Sequence, residues 1–91
     1  MDDLTDNTAS GRFEMAVDGT VAFVEYERRS DALVLIHTEV PEALGGRGIG
    51  SRLAKAVLER ARAEGDKVVP RCEFIASYIE RYPEYRALVA G

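Results

Sequence analysis

Residues 32–65 read ALVLIHTEVPEALGGRGIGSRLAKAVLERARAEG, and this stretch decides the fold. Residues 32–40 are apolar at their centre on both faces, which predicts a strand with neighbours or cover on both sides. Pro41 ends that strand, and a glycine-rich loop leads into an apolar stripe at helical spacing. The stripe consists of Ile49, Leu53, Val57 and Ala61. The pattern therefore predicts strand, loop and amphipathic helix, with Gly65 at the C-cap.

Upstream of this stretch, apolar and polar residues alternate over residues 12–17, as in a strand. Asp18-Gly19 follows and favours the two-residue turn of a β-hairpin, because both positions must tolerate a positive φ. Residues 20–27 are rich in Val, Phe and Tyr and predict a second strand. The opening MDDLTDNTAS is polar without apolar periodicity, so we expect residues 1–10 to be a flexible tail and 11–91 to be the domain.

Downstream, KVVPR at 67–71 predicts a fourth strand, which Pro70 confines to an edge, an end or a bulge. Residues 74–82 carry an apolar helical face, and residues 86–90 form a last turn. The order is β-β-β-α-β-α, an antiparallel meander followed by a crossover helix and a parallel strand. We therefore predict one α/β (α+β) domain whose mostly antiparallel sheet opens between its third and fourth strands.

Composition excludes several classes of function. The 91 residues are 46% hydrophobic and 31% charged, as in soluble globular domains. With one cysteine, Cys72, and one histidine, His37, an internal disulfide is excluded and we predict no metal. No stretch approaches the roughly 18 apolar residues of a membrane span, and the first residues lack a secretory signal pattern. We expect a cytoplasmic protein without a membrane partner.

Charge is unevenly distributed along the chain. Residues 1–42 carry 10 acidic and 3 basic side chains, a net −7, whereas residues 43–91 carry 6 acidic and 9 basic, a net +3. The protein thus lacks the broad basic face of a nonspecific DNA-binding protein, and we expect no nucleic-acid partner. A local basic stretch suits a small ligand that carries phosphates, although a solvated helix of mixed charge has the same composition.

The loop GGRGIG at 45–50 lies between a strand and a helix. Glycines let a ligand approach the backbone closely, and the first N–H groups of a helix have no internal acceptor. These features favour an anion, most naturally a pyrophosphate. The loop lacks the lysine of a P-loop, and Ser51 or Leu53 stands where the dinucleotide fingerprint needs its third glycine. A simple flexible turn is the alternative interpretation.

The loop and the order of elements resemble the CoA-binding half of the GNAT superfamily of acyltransferases, whose loop reads Gln/Arg-x-x-Gly-x-Gly/Ala. Gly48 and Gly50 match its two glycines, whereas Gly45 stands at the Gln/Arg position. More narrowly, HTEVPEALGGRGIGSRL and KVVPRCEFIASYIERYPEY resemble a short, single-domain GNAT-like family of predicted acetyltransferases. The resemblance runs from the hairpin at Asp18-Gly19 to Tyr85.

The resemblance implies an N-acetyltransferase that moves an acetyl group from acetyl-CoA to an amine that the sequence does not identify. The alternative is a non-catalytic CoA-binding or partner-dependent module, because the chain lacks the extra elements that build the acceptor cleft of larger members. A purely structural or interaction domain is a third class. The implied cofactor-binding residues are Thr38, Val40, Gly45, Gly46, Arg47, Gly48, Ile49, Gly50 and Ser51.

Cys72 and His37 are the catalytic candidates. Cys72 precedes the second helix, where the dipole favours a thiolate, although a small buried hydrophobe is the other interpretation. The resemblance also implies a suspected active-site cysteine there. His37 would act as a base or as a partner of Cys72, or it is a satisfied strand histidine, and Glu39 on the same face is a second base candidate. The resemblance implies that Tyr78 protonates the departing CoA thiolate. Its position on the apolar face of the second helix also fits an aromatic residue of the core.

Overall fold

The computed structural model describes residues 4–90, which form a five-stranded sheet and two α-helices. The strands are β1 (Leu4–Asn7), β2 (Arg12–Val17), β3 (Thr20–Arg28), β4 (Ala32–Glu39) and β5 (Lys67–Pro70), and the helices are α1 (Ile49–Glu64) and α2 (Glu73–Arg81). Short 3-10 turns cover Glu42–Leu44 and Pro83–Leu88. The strands lie in chain order, antiparallel from β1 to β4, with β5 parallel to β4. The predicted α/β domain with a mostly antiparallel sheet is confirmed.

The sheet begins earlier than the sequence predicted. The expected tail over residues 1–10 is wrong for Leu4–Asn7, which pairs antiparallel with β2, while residues 1–3 lie outside the described residues. The Tyr26 hydroxyl donates a hydrogen bond to the Asp6 carboxylate, and the Arg60 guanidinium donates to the Leu4 carbonyl at 3.0 Å. Two hydrogen bonds from side chains that are distant in sequence therefore hold this strand, which has little apolar surface of its own.

One face of the sheet and both helices share a single core. Phe13, Val24 and Leu35 on the sheet are buried together with Leu53 of α1 and Ile75 of α2. The crossover of α1 from β4 to β5 gives the parallel pair its usual connection, and α2 then packs beside α1. The segment after α2 is fastened to α1 by the buried Tyr85, whose hydroxyl donates to the Glu59 carboxylate at 2.6 Å. The helices therefore form one layer over the sheet.

The parallel pair of strands opens halfway along β4. Residues 32–35 pair with residues 67–70, and the pairing stops there. At that point the Leu35 carbonyl accepts the amide of Arg71 at 3.0 Å and the amide of Cys72 at 2.9 Å. β5 then turns into α2, while β4 continues beside β3. The predicted third and fourth strands correspond to β4 and β5, and the predicted opening between them is confirmed.

A β-bulge lies in β4 at the same point. Tyr26 of β3 is opposite Leu35 and Glu25 is opposite His37, so Ile36 is the extra residue. An extra residue reverses the alternation of faces beyond it, because successive strand side chains point to opposite sides. Thr38, rather than His37, therefore shares the core face with Leu35.

The contact between Tyr26 and Asp6 makes stability depend on pH. Burial, and then the Asp6 carboxylate, raise the pKa of Tyr26 from 10 to about 12. The unfolded chain loses this proton at a lower pH than the folded chain, so the free energy of unfolding falls as pH rises from 10 to about 12. In Tyr26→Phe the free energy of unfolding, measured by urea unfolding, should fall less steeply across that pH range. Below pH 10 the substitution should lower the free energy of unfolding by about 1 kcal/mol, because it removes the hydrogen bond to Asp6.

The matched control is Tyr82→Phe, which removes the hydroxyl of a tyrosine that is 41% exposed. In this variant the free energy of unfolding should fall with pH as steeply as in the wild type. An equally steep fall in Tyr26→Phe and in the wild type would contradict the prediction.

Candidate functional site

The glycine loop lies at the open end of the parallel pair, between β4 and α1. Gly48 is the N-cap of α1 and has a φ of 70°, a left-handed conformation that strains other residues. A Cβ at this position would meet no atom within 4 Å, so the backbone is accessible there. The Arg52 amide bonds the Gly48 carbonyl at 3.1 Å, and the amides before it have no acceptor within the helix. These amides and the helix dipole form a place for an anion.

A pocket of about 270 Å³ lies beside this loop. Most of the predicted cofactor-binding residues line it, together with two apolar residues that the sequence analysis did not assign to the site, Leu44 and Phe74. The predicted residues in its wall are Val40, Gly45, Gly46, Gly48, Ile49, Gly50 and Ser51. Phe74 belongs to the first turn of α2, so the pocket is bounded by elements from both sides of the opening.

Gly50 has a packing reason that the sequence analysis did not identify. A Cβ at this position would lie 2.7 Å from Cζ of Phe74, closer than real Cβ contacts. The missing side chain therefore leaves room for the Phe74 ring beside the first turn of α1. The Phe74 ring is 44% exposed and forms part of the pocket wall.

Arg47 is held by the hairpin turn between β2 and β3. Its guanidinium lies 2.7 Å from the carboxylate of Asp18, and both side chains are largely exposed. An exposed pair of this kind stabilises a protein by about 0–1 kcal/mol. Arg47 can therefore exchange Asp18 for another anion at small cost, which gives the loop a cation although Gly45 stands at the Gln/Arg position of the motif that the loop resembles.

Cys72 and Thr38 lie together at the opening. Cys72 is the N-cap of α2, and its Sγ is 3.1 Å from Oγ1 of Thr38. Cys72 is only 8% exposed and belongs to the core. A buried thiol is usually unreactive, so its burial favours the packing interpretation, while its place at a helix N-terminus beside the opening is the one expected of a nucleophile.

His37 lies on the other face of β4 from Thr38. Its Nε2 is 2.9 Å from Oε1 of Glu39, and both side chains are about half exposed. The structure thus pairs His37 with the second base candidate rather than with Cys72. The bulge at Ile36 causes this separation, because it places Thr38 on the side of Cys72.

Tyr78 lies on the inner side of α2, where it packs against the core. Its ring centroid is 4.6 Å from that of Tyr82, and burial raises the pKa of Tyr78 above its usual value. The hydroxyl is therefore protonated at neutral pH and can donate a hydrogen bond. Within residues 4–90, no helix is long and apolar enough to cross a membrane, and no three metal-ligating side chains lie together.

The burial of Cys72 predicts slow alkylation. Iodoacetamide should modify the native thiol about tenfold more slowly than a free cysteine, or slower still, the effect of a local opening that costs about 1.4 kcal/mol. In urea the rate should return to that of a free cysteine. Mass spectrometry of quenched samples gives both rates. A native rate above that of a free cysteine would show an activated nucleophile instead.

The sequence matches the family model for GCN5-related N-acetyl-transferase over residues 12–88, from β2 to the turn after α2. The fold is similar to the solution structure of a Staphylococcus aureus protein described as a candidate GCN5-like N-acetyltransferase. The TM-score is 0.70 with 29% identity, and the match covers 98% of this chain and 88% of that one.

Curated relatives with the name Protein NATD1 are also similar. The Xenopus tropicalis protein is 38% identical over 66 residues, which are 72% of this chain and 60% of that protein. The Homo sapiens protein is 45% identical over 49 residues, which are 54% of this chain and 43% of that protein. The chain therefore spans about half the length of the curated relatives it matches.

Proposed function

Because this chain belongs to the GCN5-related N-acetyltransferase family, we propose that it binds acetyl-CoA at the glycine loop and transfers the acetyl group to an amine. The observation that carries the proposal is the left-handed Gly48 that caps α1 at the place where β4 and β5 have parted. This arrangement combines an anion site with an exposed strand edge, and CoA has both a pyrophosphate and an extended amide-containing arm.

The pyrophosphate would lie on the amides of residues 47–50. Two features of the chain support this placement. The space around Gly48 is open, and the start of α1 supplies unpaired amides with the positive end of the helix dipole. Arg47 would leave Asp18 to pair with the phosphates, because a guanidinium forms bidentate bonds with them.

The pantetheine arm would run along β4 from Thr38 to Val40. Beyond Leu35 this strand pairs with β3 on one side, and β5 has turned away on the other. The backbone groups on the open side can then bond the amides of the arm as a neighbouring strand would. By family resemblance, the backbone N–H near Val40 would also stabilise the oxyanion that forms on the thioester.

Two routes for the acetyl group use opposite faces of β4. In the direct route an amine attacks the thioester, and His37, oriented by Glu39, takes the proton from that amine. In the covalent route the Cys72 thiolate attacks first, CoA leaves as a thiol, and the amine then releases the acetyl group from Cys72. Tyr78 would supply the proton for the departing thiolate. A cytoplasmic setting suits both routes, because thiols stay reduced there.

A non-catalytic CoA-binding module is the second candidate. The observation in its favour is that the catalytic candidates are not assembled, because Cys72 is buried and His37 faces away from it. A partner protein that completes the acceptor cleft would fit the same observation.

Gly48→Ala should weaken CoA binding at least tenfold, about 1.4 kcal/mol, because the added methyl group occupies the space beside the loop amides. Gly65→Ala is the matched control. Gly65 caps the other end of α1 with a φ of 74°, and it too has open space around it. The two variants should therefore lose similar stability, while only Gly48→Ala loses affinity in calorimetric titration.

Equal affinities of the two glycine variants would contradict the placement of the pyrophosphate. If the wild type fails to bind CoA at millimolar concentration, the proposed function is wrong.

His37→Ala and Cys72→Ser should separate the routes. With acetyl-CoA and a panel of primary amines, release of the CoA thiol measures turnover. The direct route predicts that His37→Ala slows turnover about 100-fold or more, the usual contribution of a general base, while Cys72→Ser stays near the wild type. The covalent route predicts the reverse, with an acetyl group on Cys72 in the mass spectrum. Binding without turnover in the wild type would support the module instead.

A further inference from the structure

We propose that Asp18 is a built-in competitor for the glycine loop: its carboxylate holds Arg47 until a phosphate replaces it, and it thereby sets how tightly the loop binds its ligand. This inference rests on the proposed function, since it assumes that the loop receives the pyrophosphate of CoA. It assigns a role to the turn between β2 and β3, which lies outside the walls of the loop pocket.

The contact joins two segments that are distant in the sequence. Nη1 of Arg47 donates a hydrogen bond to Oδ2 of Asp18 at 2.7 Å, across 29 residues of chain. Within residues 4–90, the Arg47 side chain has no other hydrogen-bond or ion-pair partner. A guanidinium binds a carboxylate and a phosphate through the same N–H groups. The two anions therefore compete for one cation.

The hairpin holds the carboxylate of Asp18 at a fixed place. Asp18 has a φ of 50° and Gly19 has a φ of 78°, the positive values that a two-residue turn of this kind requires. The two strands that the turn connects pair along the whole length of β2. The turn thus presents its carboxylate from a regular hairpin, and the adjustable side of the contact is the loop.

The loop can move Arg47 without disturbing a helix or a strand. Arg47 lies between Gly46 and Gly48, whose φ values are 76° and 70°, and a Cβ at either glycine would meet no atom within 4 Å. Within the described part of the chain, the amides of residues 46–48 donate no backbone hydrogen bond. A phosphate at the loop would gain these amides as well as the guanidinium, whereas Asp18 contacts the guanidinium alone.

The strength of the contact suits a competitor that a ligand can displace. The side chains of Arg47 and Asp18 are 48% and 69% exposed, and an exposed ion pair changes an equilibrium constant by up to about fivefold, equivalent to about 1 kcal/mol. A ligand with several phosphate oxygens can overcome a penalty of this size. Asp18 should therefore lower the affinity for CoA without preventing its binding.

Calorimetric titration with CoA tests the role of Asp18. Asp18→Asn should bind CoA up to about fivefold more tightly than the wild type, because Arg47 no longer has to leave a carboxylate. Asparagine also tolerates a positive φ, so the turn should be kept, and urea unfolding checks the stability of the variant. Asp31→Asn is the matched control, since it removes the same charge from an exposed residue before β4 and should leave the affinity unchanged.

A double variant separates competition for Arg47 from simple repulsion between Asp18 and the phosphates. Arg47→Gln should weaken CoA binding, and adding Asp18→Asn to it should then change nothing, because the contested cation is absent. Repulsion alone would give the same gain with or without Arg47. A second measurement needs no ligand: the Arg47 Nε–H signal in NMR spectra should exchange with water faster in Asp18→Asn than in the wild type, and no faster in Asp31→Asn.

The failure of this inference can be told apart from the failure of the proposed function. If Asp18→Asn binds CoA no more tightly than the wild type, or if its gain persists in the Arg47→Gln background, Asp18 is not a competitor for Arg47 although the loop still binds CoA. If neither the wild type nor Asp18→Asn binds CoA at millimolar concentration, both proposals are overturned.

Discussion

The carbonyl oxygen of Leu35 accepts the amides of both Arg71 and Cys72, and the candidate site depends on this junction. Before it, β4 and β5 form a regular parallel pair. Beyond it, β5 has no further ladder to follow and turns into α2, so the rest of β4 keeps an open edge. The glycine loop lies at the far end of that edge. A strand edge and an anion site are thus brought together by one shared acceptor.

The bulge at Ile36 acts together with this junction. It changes which side chains of β4 face the helices, so that Thr38 reaches Cys72, while His37 and its neighbour Glu39 lie on the other face. The two catalytic candidates therefore belong to different faces of one strand. A mechanism in which His37 deprotonates Cys72 by direct contact does not fit this arrangement, whereas each residue remains available for a route of its own.

Much of the fold was predictable because local patterns and tertiary contacts agree. The alternation in β2 and β3, the turn at Asp18-Gly19 and the apolar stripe of α1 each specify one element, and the structure has all of them. β1 could not be predicted, because its pairing depends on Tyr26 and Arg60, which are remote in sequence. Nothing in the residues of β1 alone indicates a strand.

The loop was predictable from its glycines, but the contacts of the site were not. A strict period of two places His37 and Leu35 on the same face, and a single bulge reverses that assignment. The side chain of Ile36 gives no sign of the bulge in the sequence. The contact of Gly50 was also hidden, since Phe74 is 24 residues away in the sequence and approaches it only in the folded chain.

The topology around the junction also has a consequence for folding. The antiparallel strands form a meander, in which each pairing closes a short loop, but Ala32 pairs with Lys67 across the whole of α1. Closing a longer loop costs more chain entropy, and contacts between distant residues form late in folding. We expect the meander to form first and β5 to dock afterwards. The same order in reverse would make the open end the first part to unfold, so hydrogen exchange should be faster in β5 and the start of α2 than in β2 and β3.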